Sequence, residues 1–244
     1  MAARRGGTQQ PAIRRRRCSE RLLAGIPVRE RRLQLADIST TVLEGGDDPP
    51  VLLLHGPGGN AAHWVRVIPD LVTTHRVVAP DLPGQGTSEV AGGPLGSDRL
   101  VAWLGELIEH TCPSPPAVVG YALVGAIAAR FASGQGDRLG RLVLVDALGL
   151  DRFEPAPDFG LALNDFLAQP TERTHDDLWQ HCALDLGGLR QRMGERWEAF
   201  KAYNLDRART PSVQAALGTL MEQFGIPAIP PADLARIAVP TTLI

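Results

Sequence analysis

Residues 118–132 run from an apolar, β-branched pattern into a helical pattern of small residues, and the turn between them is where chemistry would be presented. A Gly-x-Ser-x-Gly sequence at such a turn holds a serine out for attack on a carbonyl carbon. Here the residues are Gly120, Tyr121, Ala122, Leu123 and Val124, so the tip is a methyl group and the second glycine is a valine. Covalent catalysis needs an attacking group, and alanine has none. A β-branched Val124 resists unusual backbone angles, so the turn is expected to be relaxed or remodelled. Tyr121 would need strong activation to serve instead, and its phenol is expected to point away from the tip as an ordinary packed or hydrogen-bonded tyrosine.

The flanking elements are those of an open α/β sheet. Residues 31–46 alternate apolar and polar side chains, as two half-buried strands would, and 51–56 form a continuous apolar run typical of a strand buried on both faces. Residues 61–74 carry helical spacing at Trp64, Ile68 and Leu71. Residues 75–88 read as a short buried strand ending in a glycine-rich loop, in which Asp81 is expected to be a turn residue accepting backbone hydrogen bonds. Ser97 or Asp98 caps a helix whose buried face is Leu100, Trp103, Leu104 and Leu107. A strand returns at 141–147, after which nearly 90 residues show only helical or loop patterns until 238–244. The succession of parallel-type strands and helices argues for an α/β fold carrying a helical insertion.

Composition narrows the function. The net charge of −2 conceals a basic start: residues 1–32 hold ten arginines and two glutamates, and the remainder is near −10. The basic segment reads as disordered, and the acidic body argues against a nucleic-acid partner. No apolar run reaches the roughly 20 residues of a membrane span. Cys18, Cys112 and Cys182 are odd in number and far apart, which suggests a reducing, cytoplasmic setting. No metal constellation emerges: His175 and His181 are six apart and fall on different helix faces. An exposed or capping role is expected for both.

Three segments, VLLLHGPGGNAAHW, RVVAPDLPGQGTS and AVVGYALVGAIAARFA, followed by RLVLVDALGL and the helical stretch, resemble the α/β-hydrolase family, in particular its capped members that act on small molecules. The resemblance covers about residues 31–244. It implies a mostly parallel sheet flanked by helices, divided into a basic disordered tail (1–30), a hydrolase core (31–148), a helical cap (149–236) and the start of the next core strand (237–244). Ala122 then fills the vacant nucleophile position. One oxyanion donor is the N–H of Leu123. The second would follow His55 and Gly56, but that residue is Pro57, which has no N–H. Gly58 is the expected substitute if the loop shifts by one.

The family's acid and histidine would come after Ile244, so the chain is expected to be truncated, with its final strands missing. Asp146 matches a position that some relatives use for the acid, although an aspartate there more often orders the following loop. The resemblance thus implies a protein incompetent as a serine hydrolase, without cofactor or metal, retaining a pocket for an apolar small molecule between core and cap. Leu150, Phe153, Phe166, Trp179 and Trp197 are its candidate lining, or plain cap core. The alternatives are a working hydrolase of small esters or related carbonyl compounds in a complete form, and a non-hydrolytic enzyme on the same fold.

Overall fold

A computed structural model describes residues 20–222 and 228–244. Its sheet has eight strands: β1 (Arg29–Leu35), β2 (Ile38–Gly45), β3 (Pro50–Leu54), β4 (Arg76–Pro80), β5 (Glu89–Val90), β6 (Ala117–Tyr121), β7 (Arg141–Val145) and β8 (Thr241–Leu243). Their order is β1-β2-β4-β3-β6-β7-β8, with β5 paired to β2. The β1–β2, β2–β4 and β2–β5 pairs are antiparallel, and the run β4-β3-β6-β7-β8 is parallel. Strand β3 lies near the middle and is buried throughout, which is why Pro50–Leu54 reads as an unbroken apolar run.

Two helices pack on this sheet. Helix α1 (Ser97–Thr111) buries Leu100, Trp103, Leu104 and Leu107, and the Trp103 indole N–H donates to Thr40 Oγ1 at 2.9 Å. Its cap position is held by Gly96 rather than by Ser97 or Asp98. Helix α2 (Leu123–Gln135) contributes Leu123, Val124, Ile127 and Phe131 to the same core. The helical spacing at 61–74 yields only a 3₁₀ turn (Ala61–Trp64) and one helical turn (Ile68–Leu71), because Pro69 can start a helix but cannot continue one.

The chain divides into two compact units. One holds the sheet, residues 26–154 and 212–244; the other holds residues up to Gly25 and 155–211. The helical unit contains α3 (Pro157–Ala168), α4 (Glu172–Cys182), α5 (Leu186–Met193) and α6 (Arg196–Ala208), and α7 (Pro211–Leu220) begins at its border. The compact helical unit covers 155–211 of the 149–236 expected, and Leu220 and Ile229 join the core around the sheet. The expected tail also ends earlier. Leu22 is buried, and Arg29 and Arg31 in β1 reach the buried carboxylate of Glu44 at 3.4 and 3.3 Å. Those arginines belong to the fold because Glu44 needs a counter-charge; residues 1–19 lie outside the described residues.

The loops after β3 and β4 are tied together by two side chains. His55 accepts the Leu82 N–H at Nε2 (3.0 Å), which leaves Nδ1 as the donor to the Gly56 carbonyl at 2.7 Å. Burial lowers the His55 pKa to about 4, against the pull of the Gly56 carbonyl, and so holds the ring neutral. Asp81 accepts from the Ala61 N–H at 2.8 Å and from the Thr87 N–H at 2.7 Å, the turn role expected of it. Gly86 makes room for it: at φ +55 a Cβ there would fall 2.1 Å from the Asp81 carboxylate.

Two outcomes are expected. Gly86→Ala should cost at least about 2 kcal/mol in urea unfolding, through the clash as well as the backbone angle. Gly92→Ala, at φ +59 with nothing within 4 Å of its Cβ, should cost only about 1–2 kcal/mol. Equal losses would mean that Asp81 yields. For His55, the unfolded chain binds a proton between pH 6.5 and 4 that the native state refuses. Its contribution is therefore present above pH 6.5 and lost on acidification towards pH 4, by at most about 3 kcal/mol. His55→Gln should flatten the unfolding free energy over that window; an unchanged slope would remove His55 as its origin.

Candidate functional site

The carboxyl ends of β3, β6 and β7 converge on one edge of the sheet. Register pairs Leu54 with Gly120 and Tyr121 with Val145, so Gly56, Ala122 and Asp146 leave the sheet side by side. Ala122 stands between β6 and α2 at φ 53 and ψ −125. The turn is therefore sharp and left-handed, not the relaxed one that Val124 suggested. Such a residue costs about 1–3 kcal/mol unless its surroundings fix it.

They do. The Ala122 N–H donates to the Val145 carbonyl at 2.9 Å, and the Ala122 carbonyl accepts from Gly125 at 3.0 Å and Leu148 at 3.1 Å. Beneath the turn, a Cβ on Gly120 would fall 2.8 Å from Gly125 Cα, and one on Gly125 would fall 2.5 Å from Ala147 Cβ. Gly125 thus provides the close approach, while Val124 sits inside α2 with its side chain in the core. A valine is tolerated because the strained angle belongs to the residue two positions before it.

The loop after β3 has a different set of donors from the one expected. Pro57 offers no N–H. Gly58, at φ +75, donates its N–H to Gln85 Oε1 at 2.8 Å, so it does not fill the gap left by Pro57. Gln85 itself is fully buried in the loop after β4. The Tyr121 ring lies over Gly56, where a Cβ would fall 2.6 Å from Tyr121 Cδ1, so the tyrosine packs on the loop after β3. Leu123 is the first residue of α2, and its N–H has no acceptor within its own helix. Sequence reasoning missed Gln85. The signal was present, as a long polar side chain between two glycines of a loop that the fold must bury.

Asp146 ends β7 with φ +46, and its side chain is exposed. Its N–H donates to the Ile244 carbonyl at 2.9 Å, and the loop that follows returns to the turn through Leu148. Two non-glycine residues with positive φ thus stand at the ends of neighbouring parallel strands.

The helical unit holds a second cluster. His175, expected to be exposed or capping, is instead fully buried in α4 among the rings of Phe166, Trp179, Trp197 and Phe200, at centroid distances of 5.8 to 6.5 Å. Its Nδ1 faces Asp176 Oδ1 at 3.3 Å and its Nε2 faces Asn204 Nδ2 at 3.2 Å. Asp176 is also held by Arg190 at 2.8 Å. Burial lowers the His175 pKa against the pull of Asp176, so the ring is a neutral core residue. Phe166 and Trp197 are buried in that cluster, whereas Phe153 is exposed and Leu150 packs with the sheet core. Burial also raises the thiol pKa values of Cys112 and Cys182, both free; Cys18 lies outside the described residues. Among the described residues no group of three His, Cys, Asp or Glu side chains is placed to hold a metal ion, and no helix is long and apolar enough to cross a membrane.

A sequence profile described as "alpha/beta hydrolase fold" matches residues 49–229. The magnesium-chelatase 30 kDa subunit of Rhodobacter capsulatus is 32% identical over 231 aligned residues, spanning 87% of this chain and 76% of the relative. A pimeloyl-[acyl-carrier protein] methyl ester esterase of Aeromonas hydrophila is 34% identical over 108 residues, 44% of this chain. The chain spans only 41% of that esterase's length. Among solved structures, the naproxen esterase of Bacillus subtilis superposes with TM-score 0.75 at 16% identity, over 96% of this chain and 80% of its own. The 2-hydroxy-6-oxo-6-phenylhexa-2,4-dienoate hydrolase of a Rhodococcus strain gives 0.73 at 25% identity, over 88% and 80%. With the parallel sheet, the left-handed turn between β6 and α2 and a profile spanning most of the chain, the protein belongs to the α/β-hydrolase family.

Proposed function

We propose that this chain is a non-hydrolytic member of its family, which holds a small carbonyl-bearing molecule at the sheet edge without forming a covalent bond to it. The observation that carries this reading is the turn at Ala122, which keeps a strained left-handed geometry while presenting only a methyl group. Acyl transfer needs a nucleophile and a base. His55 is excluded as a base, since Gly56 and Leu82 occupy both ring nitrogens, and His175 is enclosed in its aromatic cluster.

The names of the relatives support the two halves of the reading. The esterase and the dienoate hydrolase are named for carbonyl substrates, which favours a carbonyl ligand. The relative from Rhodobacter capsulatus, aligned over 76% of its length, is named as a chelatase subunit and not for hydrolysis, which favours a role without bond cleavage. The competing reading is a hydrolase of small esters, favoured by the intact turn; a non-hydrolytic enzyme on this fold would still need a positioned base.

Incubation with a fluorophosphonate probe should label no serine of the purified chain, and p-nitrophenyl butyrate turnover should match a heat-denatured control. Ala122→Ser places a hydroxyl on the turn with neither His55 nor His175 available as its general base, a group worth about 10²–10⁴-fold. That variant should also stay unlabelled. Covalent adduct at Ser, in the wild type or in A122S, would establish a working base and sink the reading.

A further inference from the structure

We infer that the helical unit is an acid-opened element: on mild acidification a proton taken up by His175 breaks the cluster that joins α3, α4 and α6 and uncovers its aromatic rings, while the sheet stays folded. This goes beyond the binding role proposed above and does not depend on it.

His175 is the hub of that unit. Its ring is 0% exposed and meets one ring from α3 (Phe166), one from α4 (Trp179) and two from α6 (Trp197 and Phe200). These rings also meet each other, with Trp179 at 4.9 Å from Phe200 and 5.8 Å from Trp197. Both imidazole nitrogens are engaged. As a carboxylate Asp176 only accepts, so Nδ1 carries the proton at 3.3 Å, and Nε2 is left to accept from Asn204 Nδ2 at 3.2 Å.

A second proton fits this arrangement badly. On Nε2 it would face the Asn204 donor, so the bond is lost unless the amide turns over. Its counter-charge is already taken, because the Asp176 Oδ1 that faces Nδ1 also receives the Arg190 guanidinium at 2.8 Å. The other charges near the ring are of like sign. Arg190 of α5 lies over the Trp197 ring at 5.1 Å, and Lys201 of α6 is held by Glu172 and Glu198; α3 faces the ring with Phe166. An imidazolium here is desolvated beside two cations, and reaching water means parting α4 from α3 and α6. Burial accordingly keeps the His175 pKa below the ordinary 6.5. The closed unit thus refuses a proton that the open one binds. Its advantage is complete above pH 6.5 and is lost as the pH falls through the native pKa.

The helical unit yields before the sheet because its apolar cluster is small. It is built on Phe166, Leu178, Leu205 and Ala208, whereas the sheet has its own extensive core on β3, α1 and α2.

The test is amide hydrogen exchange of the full chain from pH 8 to 5, comparing protection factors of α4 and α6 with those of β3 and β6. Opening of α4 and α6 should rise by up to about tenfold per pH unit below 6.5, the slope of one proton per opening, while β3 and β6 stay protected. His175→Gln keeps a donor and an acceptor without titrating, and should abolish that rise. If this variant folds poorly, the wild-type His175 Cε1–H signal decides, since its titration must coincide with the loss of protection. Exchange of α4 and α6 only together with β3 and β6, a rise that persists in folded His175→Gln, or a ring that titrates while both helices stay protected would each overturn the inference.

Discussion

Everything at the carboxyl edge of the sheet depends on one backbone conformation that its own residue disfavours. Alanine at φ 53 and ψ −125 does not stay there alone. It is held because Gly120 and Gly125 let β6 and α2 approach closely, and because Val145 and Leu148 bond its N–H and carbonyl. The same turn stands beside Tyr121, whose ring lies over Gly56, and receives the loop after β7 through the Leu148 N–H.

The loops around the turn are rigid for a separate reason. Neutral His55 and ionisable Asp81 each join the β3 loop to the β4 loop, one by its ring nitrogens and the other by its carboxylate oxygens. Gln85 adds a third link through Gly58. Buried polar side chains that satisfy backbone N–H groups fix a loop more firmly than apolar packing would, since each missing bond leaves an orphaned donor.

Much of this was legible in the residues. The unbroken apolar run at 51–56 announces a strand buried on both faces, and the alternation at 31–46 announces two half-buried strands. The turn's persistence was not legible, because Val124 argues from its own preferences while tertiary contacts at Gly125 and Ala147 decide the outcome. His175 was misjudged for a similar reason: its immediate neighbours in sequence are polar or charged, and three of the four rings that enclose it come from α3 and α6. The limits of the insertion escaped because helices packed on a sheet and helices packed on each other share one periodicity.

The packing beneath Ala122 bears on how such proteins change over time. Every alanine codon is one base away from a serine codon, and the contacts that fix the turn are made by backbone atoms and by Gly120, Gly125 and Ala147. Exchange between the two residues is therefore silent to the fold. A lineage with this turn can cross between nucleophile and methyl group in one mutational step, in either direction, while selection on stability registers nothing.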